Sequence, residues 1–306
     1  MAIFNQTSPV HLAIGIFDGV HLGHREILGQ ASRASKEDGG LVAVLTFWPH
    51  PSHVLRPDHT VPMLYSRDLR TRFLADAGAD EVMYQEFTKD FASMEAEKFP
   101  EFLKNVFPSL KTVSVGAGFR FGQDRRGDAA LLVELGRGLG LDVRPVSRVD
   151  QGGEPLSSTR IREAVASGDI IAANSMLGRP YRAVGQIMSG DSIGREIGFP
   201  TFNLDWCPEL QPRFGVYAVK ALFPRFGSHS YAAVANYGCR PTVTGGQADP
   251  VLEVHLLETP PENPVDCIEV AFHHHIRPEQ KFESIEDLAK RIEMDVGIAK
   301  KLLAEI

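Results

Sequence analysis

Two histidines in the segment 15–24, Gly15-Ile-Phe-Asp-Gly-Val-His-Leu-Gly-His24, have the type and spacing to grip a phosphate group. An apolar run ends where the segment begins and a helical pattern follows it, so the chain leaves a strand and enters a helix. Gly15 and Gly19 permit a sharp turn, and Gly23 keeps the helix start uncrowded. The helix N-terminus offers N–H groups and partial positive charge to an anion. His21 and His24 are three residues apart and share a face of the first turn, where both can donate to phosphate oxygens as negative charge builds on them. Surface histidines on an ordinary strand–helix connection would need only part of this pattern. The whole of G-x-F-D-G-x-H-x-G-H at a strand end favours anion capture.

Other groups are suited to chemistry. Ser157-Ser-Thr-Arg-Ile-Arg162 opens a helix with hydroxyls and two arginines, which can cap the helix and clamp a polyphosphate. Gly198-Phe-Pro-Thr-Phe-Asn203 brings the oxygens of Thr201 and Asn203 together, a pair suited to a hard cation that keeps several waters. By itself that stretch also reads as a turn with a satisfied asparagine. In Leu252-Glu-Val-His-Leu256, alternation puts Glu253 and His255 on the face opposite Leu252, Val254 and Leu256. The spacing leaves two readings of Glu253 open, a solvated carboxylate or a base facing a cleft. His273, His274 and His275 cannot converge on one ion, because neighbours on a strand point to opposite faces. They read as the end of an edge strand.

The elements that must position these residues fall into two halves. Short apolar runs over 10–16, 41–47, 81–84, 112–115 and 142–146 read as strands. Helical patterns over 25–36, 69–77, 95–106 and 130–139 lie between them. Continuous apolar strands joined by helices imply a doubly wound α/β domain with a parallel sheet, whose ligands lie beyond the carboxyl ends of the strands. After Gly178-Arg179-Pro180 the pattern changes. Strand-like runs over 181–187, 215–222, 231–235, 252–257 and 267–272 are separated by glycine and proline turns, which implies an antiparallel β-barrel. A last helix starts at Ser284, with Asp287 in a capping-box-like position, and places Ile285, Leu288, Ile292, Val296 and Ala299 on a barrel-facing stripe. The expected domains are 1–180 and 181–306.

Composition narrows the partners. A chain of 306 residues with net charge −7 repels nucleic acid and acidic membranes as a whole, while a local basic pocket can still hold a small anion. Neither nucleic acid nor membrane is an expected partner. Cys207, Cys239 and Cys267 form no C-x-x-C pair, so neither a disulfide framework nor a zinc site is implied. Without a secretory leader pattern or a long apolar span, the expected location is the cytoplasm.

Taken together, these motifs resemble those of the bacterial bifunctional riboflavin kinase/FAD synthetases. The 15–24 segment is similar to the nucleotidyltransferase H-x-G-H signature. Thr46-Phe-Trp-Pro-His-Pro51 resembles T-F-x-P-H-P, Phe119-Arg-Phe-Gly122 with Arg126-Gly127 resembles F-x-F-G…R-x-G, and Ser157–Arg162 matches S-S-T-x-I-R. In the second half the resemblance rests on Gly198–Asn203 (G-F-P-T-x-N), Asn236-Tyr-Gly-Cys-Arg-Pro-Thr242 (N-x-G-x-R-P-T), Glu253, and Arg277-Pro-Glu-Gln-Lys-Phe282 (R-x-E-x-K-F). It implies phosphorylation of riboflavin to FMN, then adenylylation of FMN to FAD with loss of pyrophosphate. ATP is the co-substrate of both steps and Mg²⁺ the cofactor.

The resemblance implies roles residue by residue. Gly15, Phe17, Asp18, Gly19, His21, Gly23 and His24 hold ATP phosphates, with Asp18 holding either the loop or a Mg²⁺. Ser158, Thr159 and Arg162 hold the departing pyrophosphate, and Phe119, Phe121 and Arg277 contact flavin. Gly198 approaches the nucleotide of the kinase, Thr201 and Asn203 ligate Mg²⁺, and Glu253 is the catalytic base. Two positions depart from the family pattern, Gly118 in place of Asp or Asn and Phe202 in place of alanine. The alternative they leave is a riboflavin kinase with weakened or lost adenylyltransferase activity. Class I aminoacyl-tRNA synthetases share H-x-G-H, but their lysine-rich K-M-S-K-S-type loop is missing here, and a net charge of −7 does not suit tRNA.

Overall fold

The computed structural model describes residues 8–188, 194, 197–239, 250–260 and 267–306. Residues 240–242 of the N-x-G-x-R-P-T stretch lie outside them. Two compact units divide the chain, Met1–Ser158 and Thr159–Ile306.

The first unit is built on a five-stranded parallel sheet. Its strands are β1 (Val10–Ile14), β2 (Leu41–Trp48), β3 (Glu81–Glu86), β4 (Leu110–Gly116) and β7 (Asp142–Val146), in the order β3-β2-β1-β4-β7. All five residues of β1 are buried, as a strand covered on both faces requires. One face packs Leu12, Ile14, Leu45, Phe47, Val113 and Val115 into a cluster with Leu103 and Leu132 of the helices α5 (Phe99–Val106) and α6 (Ala129–Gly138). Helix α1 (Leu22–Asp38) lies against β1, β2 and β4 and buries Ile27, Leu28, Ala31 and Ala34. Because β2 and β4 flank β1 on opposite sides, the chain reverses its winding at β1. The crevice this leaves beyond the carboxyl ends of β1 and β4 is where such sheets bind ligands, and residues 15–21 enter it.

The second unit is a closed six-stranded antiparallel barrel, in the order β10 (Tyr181–Met188), β11 (Phe202–Asp205), β14 (Pro250–Leu256), β13 (Ser230–Cys239), β12 (Gly215–Leu222) and β15 (Cys267–Arg277). Helices α7 (Ser158–Ser167) and α8 (Ile170–Leu177) precede it. Helix α9 (Ile285–Leu303) closes the chain. The Ser284 hydroxyl caps α9 by accepting from the Asp287 N–H and donating to the Asp287 carboxylate.

Several elements differ from the periodicity reading. β11 and α8 are too short and too mixed in composition to stand out. The α9 stripe keeps its expected face but packs toward the helix end: Ala299 and Leu303 pack on Val216, Ala218 and Val234, with Val296 beside them, whereas Ile285 is 60% exposed. The barrel meets only the later turns, so an apolar residue in the first turn faces water. β15 runs on through the three histidines to Arg277, past the end of β10, and pairs there with β12 alone.

Candidate functional site

The first site is a backbone turn held in a demanding shape. Phe17 and Val20 have φ of +50° and +43°, and Gly19 has +83°. Such angles cost a non-glycine residue of order 1–3 kcal/mol each and persist only where surroundings enforce them. Those surroundings are visible. The Asp18 carboxylate, 1% exposed, accepts the Leu64 N–H at 3.0 Å, and the Asp18 carbonyl accepts the Ser158 hydroxyl at 2.8 Å. The Ile16 carbonyl accepts from the Thr46 hydroxyl at 2.9 Å and from the Arg70 guanidinium at 3.2 Å. Phe17 is fully buried, its ring lying against Gly15 and edge-on to His24 with centroids 5.3 Å apart. Through its carboxylate bond the Asp18 side chain ties the turn to Leu64.

His21 caps α1. Its Nδ1 accepts the His24 N–H at 3.3 Å, so in the neutral ring the proton sits on Nε2, which becomes the donor. The His21 and His24 rings stack with centroids 3.6 Å apart and planes 17° from parallel. Gly23 makes room for this: a β-carbon there would meet the His21 ring at 3.2 Å. The first turn of α1 carries no acidic residue, so the partial positive charge of the helix end is left for an anion.

The remaining first-half residues divide. Ser158 opens α7 and reaches Asp18. Thr159 (exposed) and Arg162 (half-buried) follow on the same helix within the second unit. Phe119 and Phe121 stack at 5.6 Å, but Phe121 is a core residue lying between Phe99 and Gly127, and Phe119 is the half-buried member of the pair. A β-carbon on Gly118 would meet the Arg148 guanidinium at 3.0 Å.

The second site is a polar ladder on the outer face of the barrel. Alternation along β14 buries Leu252, Val254 and Leu256 and turns Glu253 and His255 the other way. Glu253 does not face open water alone. Asn203 of β11, 4% exposed, stands opposite it on one side, and Asn236 of β13 on the other. His255 Nδ1 donates to the Pro200 carbonyl at 2.9 Å and its ring meets Phe199 edge-on, tying the Gly198–Asn203 segment to β14. Phe202, the departure from alanine, packs edge-on to Phe223. Hydroxyl, amide and carboxylate oxygens from Thr201, Asn203 and Glu253 are the hard donors that a magnesium ion takes.

Two members of this site were not singled out from the sequence. Glu279 lies over Gly238 and accepts from the Asn236 amide and the Cys239 N–H. Burial of its carboxylate against the strand, with the Glu253 charge nearby, raises its pKa. Its place in R-x-E-x-K-F was the available signal. Asp295 of α9, 1% exposed, takes the Arg277 guanidinium through Nε at 2.9 Å and Nη2 at 2.8 Å, with Arg291 Nε at 3.3 Å. Arg277 is thus occupied by Asp295 and by the Phe282 ring, 5.7 Å away. No spacing rule could have found a partner eighteen residues along.

Residues 4–160 match the FAD synthetase family and residues 177–303 match the riboflavin kinase family. The bifunctional riboflavin kinase/FMN adenylyltransferase of Escherichia coli K12 is 37% identical over 95% of this chain and 91% of its own. The protein of the same description from Bacillus subtilis 168 is 33% identical over 93% and 89%. A solved structure from Streptococcus pneumoniae, described as a macrolide-efflux protein, has a TM-score of 0.86 at 28% identity, covering 97% of this chain and 95% of that one. Among the described residues here, no helix is long and apolar enough to cross a membrane.

Proposed function

Because the chain belongs to the bifunctional riboflavin kinase/FMN adenylyltransferase family, we propose that it phosphorylates riboflavin to FMN and adenylylates FMN to FAD, using one ATP in each step. The observation that carries this reading is the pairing of two family domains in one chain, each with its own polar site. We set the functional boundary near residue 180, where Gly178 ends α8, so that 1–180 is the adenylyltransferase and 181–306 the kinase.

In the kinase, Glu253 accepts the proton of the riboflavin 5′-hydroxyl as that oxygen attacks the γ-phosphorus of ATP. A carboxylate suffices because the transition state is loose and proton removal is late. Asn203 and Asn236 flank the carboxylate and orient it. Thr201 and Asn203 would hold Mg²⁺, which when bound neutralises phosphate charge. Gly198, with φ of +87°, keeps the backbone there open to a nucleotide.

In the adenylyltransferase, an FMN phosphate oxygen attacks the α-phosphorus of ATP and pyrophosphate departs. His21 Nε2 and the His24 ring donate to the ATP phosphates over the unneutralised end of α1. Ser158, Thr159 and Arg162 receive the leaving pyrophosphate, and Phe119 offers a ring to the flavin. Since protein groups do no covalent work, positioning and charge carry the rate. Use of ATP in both steps supports a cytoplasmic location. The exposed Gly118 beside Arg148 favours a second reading, in which FAD formation is weak.

One experiment tests both readings. The protein is incubated with riboflavin, ATP and Mg²⁺ and the flavins are separated by chromatography. FMN followed by FAD is expected; FMN alone selects the second reading, and no turnover rejects both.

A further inference from the structure

Arg70 is the largest fully buried side chain of the described residues, with 1% of its surface exposed. It lies on α3 (Arg67–Asp76), a helix that contributes no residue to the phosphate-binding motifs. Its Nη1 donates to the Ile16 carbonyl at 3.2 Å, and its guanidinium carbon stands 5.3 Å from the ring centres of both Trp48 and Tyr84. Ile16 is the residue before Phe17, where the backbone first turns to positive φ, and the Phe17 ring meets His24.

Two features separate this arginine from ordinary packing. Taking a guanidinium out of water is expensive, and an aliphatic side chain would fill the same space without that penalty. The carbonyl it reaches also has the Thr46 hydroxyl as a donor. The second donor is therefore not needed to satisfy the oxygen. It adds a fixed direction to the loop backbone.

We propose that Arg70 is a positioning residue for adenylyl transfer: through the Ile16 carbonyl it fixes the turn from Ile16 to Phe17, and the Phe17 ring holds His24 in place for the ATP phosphates. The inference rests on the reading of the first unit as an adenylyltransferase. Arg70 touches no reacting atom in this scheme. Its effect belongs in the chemical step, because a small displacement of a group that stabilises developing charge lowers turnover more than substrate binding.

The test uses the full-length protein, assaying FAD formation from FMN and ATP, with FMN formation from riboflavin as an internal record of the second unit. Arg70→Met is expected to lower kcat for FAD formation by about tenfold or more, with KM for FMN changed less than about twofold. Arg70→Lys, which restores one charged donor without the planar fork, is expected to recover part of that loss. Thr46→Val, close in shape, is expected to show a smaller loss of the same kind. FMN formation is expected to stay at the wild-type rate in all three. A folded Arg70→Met with wild-type kcat for FAD overturns the proposal. If Arg70→Met does not fold, wild-type kcat in both Arg70→Lys and Thr46→Val overturns it instead. A wild-type protein that makes FMN but no FAD removes the underlying reading and this inference together, an outcome distinct from loss confined to the variants.

Discussion

The Glu279 carboxylate occupies the space that a β-carbon on Gly238 would need: such a carbon would lie 1.7 Å from Oε1. Glycine at 238 therefore lets the carboxylate lie down on β13, where it takes the Asn236 amide and the Cys239 N–H. Asn236 in turn stands opposite Glu253. Gly238→Ala is expected to push Glu279 off the strand and release Asn236. Losing a hydrogen bond to a charged group is worth about 1.5 kcal/mol or more, so FMN formation should fall by about tenfold. FAD formation from supplied FMN should not change, and the two rates measured on one preparation check this.

The stacked histidines and the polar ladder make opposite expectations for the two activities. His24→Ala removes a phosphate donor and is expected to lower FAD formation by about a hundredfold or more while sparing FMN formation. Glu253→Ala is expected to do the reverse. If either substitution stopped both reactions in a folded protein, the two-site scheme would be wrong.

Asp38 gives a pH dependence with a definite sign. Its carboxylate accepts from Lys111 at 2.9 Å and pairs with the buried His11 Nε2 at 2.9 Å. Lys111 first, then His11, holds its pKa down to about 2 from the ordinary 3.8. A folded-state value below the unfolded one means that the charged form stabilises the fold. That contribution is complete above about pH 4 and is lost as pH falls toward 2. Asp38→Asn is therefore expected to be less stable than wild type at neutral pH, with the gap closing between pH 4 and 2. Denaturant unfolding of the first unit across that range is the measurement.

Asp295 binds α9 to the barrel end through Arg277 of β15, and Arg291, one turn back on the same helix, adds a second cation to the pair. Removing one partner of a buried ion pair leaves the other charge uncompensated, which costs about 3–5 kcal/mol. Asp295→Ala is expected to lower the unfolding transition of the second unit by that amount. Asp295→Asn, which keeps an acceptor, should lose less. Because Arg277 begins the segment that carries Glu279, FMN formation should weaken in both before FAD formation does.

The sequence by itself determined what depends on near neighbours. The H-x-G-H turn, the cap at Ser284, the alternation that sets Glu253 apart from Leu252 and Val254, and the change of pattern near residue 180 follow from backbone preference and periodicity over a few residues. The parallel and antiparallel sheets followed from whether helices separate the strands. Only the tertiary structure decided which distant residues complete each site. Arg70 reaches Ile16 across 54 positions, and Glu279 meets Gly238 from a different strand end. Asp295 pairs with Arg277 from eighteen residues further along the chain. It also decided that Phe121 is core while Phe119 is half-buried, and that the α9 stripe begins after its first turn. Such contacts depend on how strands register and helices settle on a closed core, and short-range spacing carries no record of either.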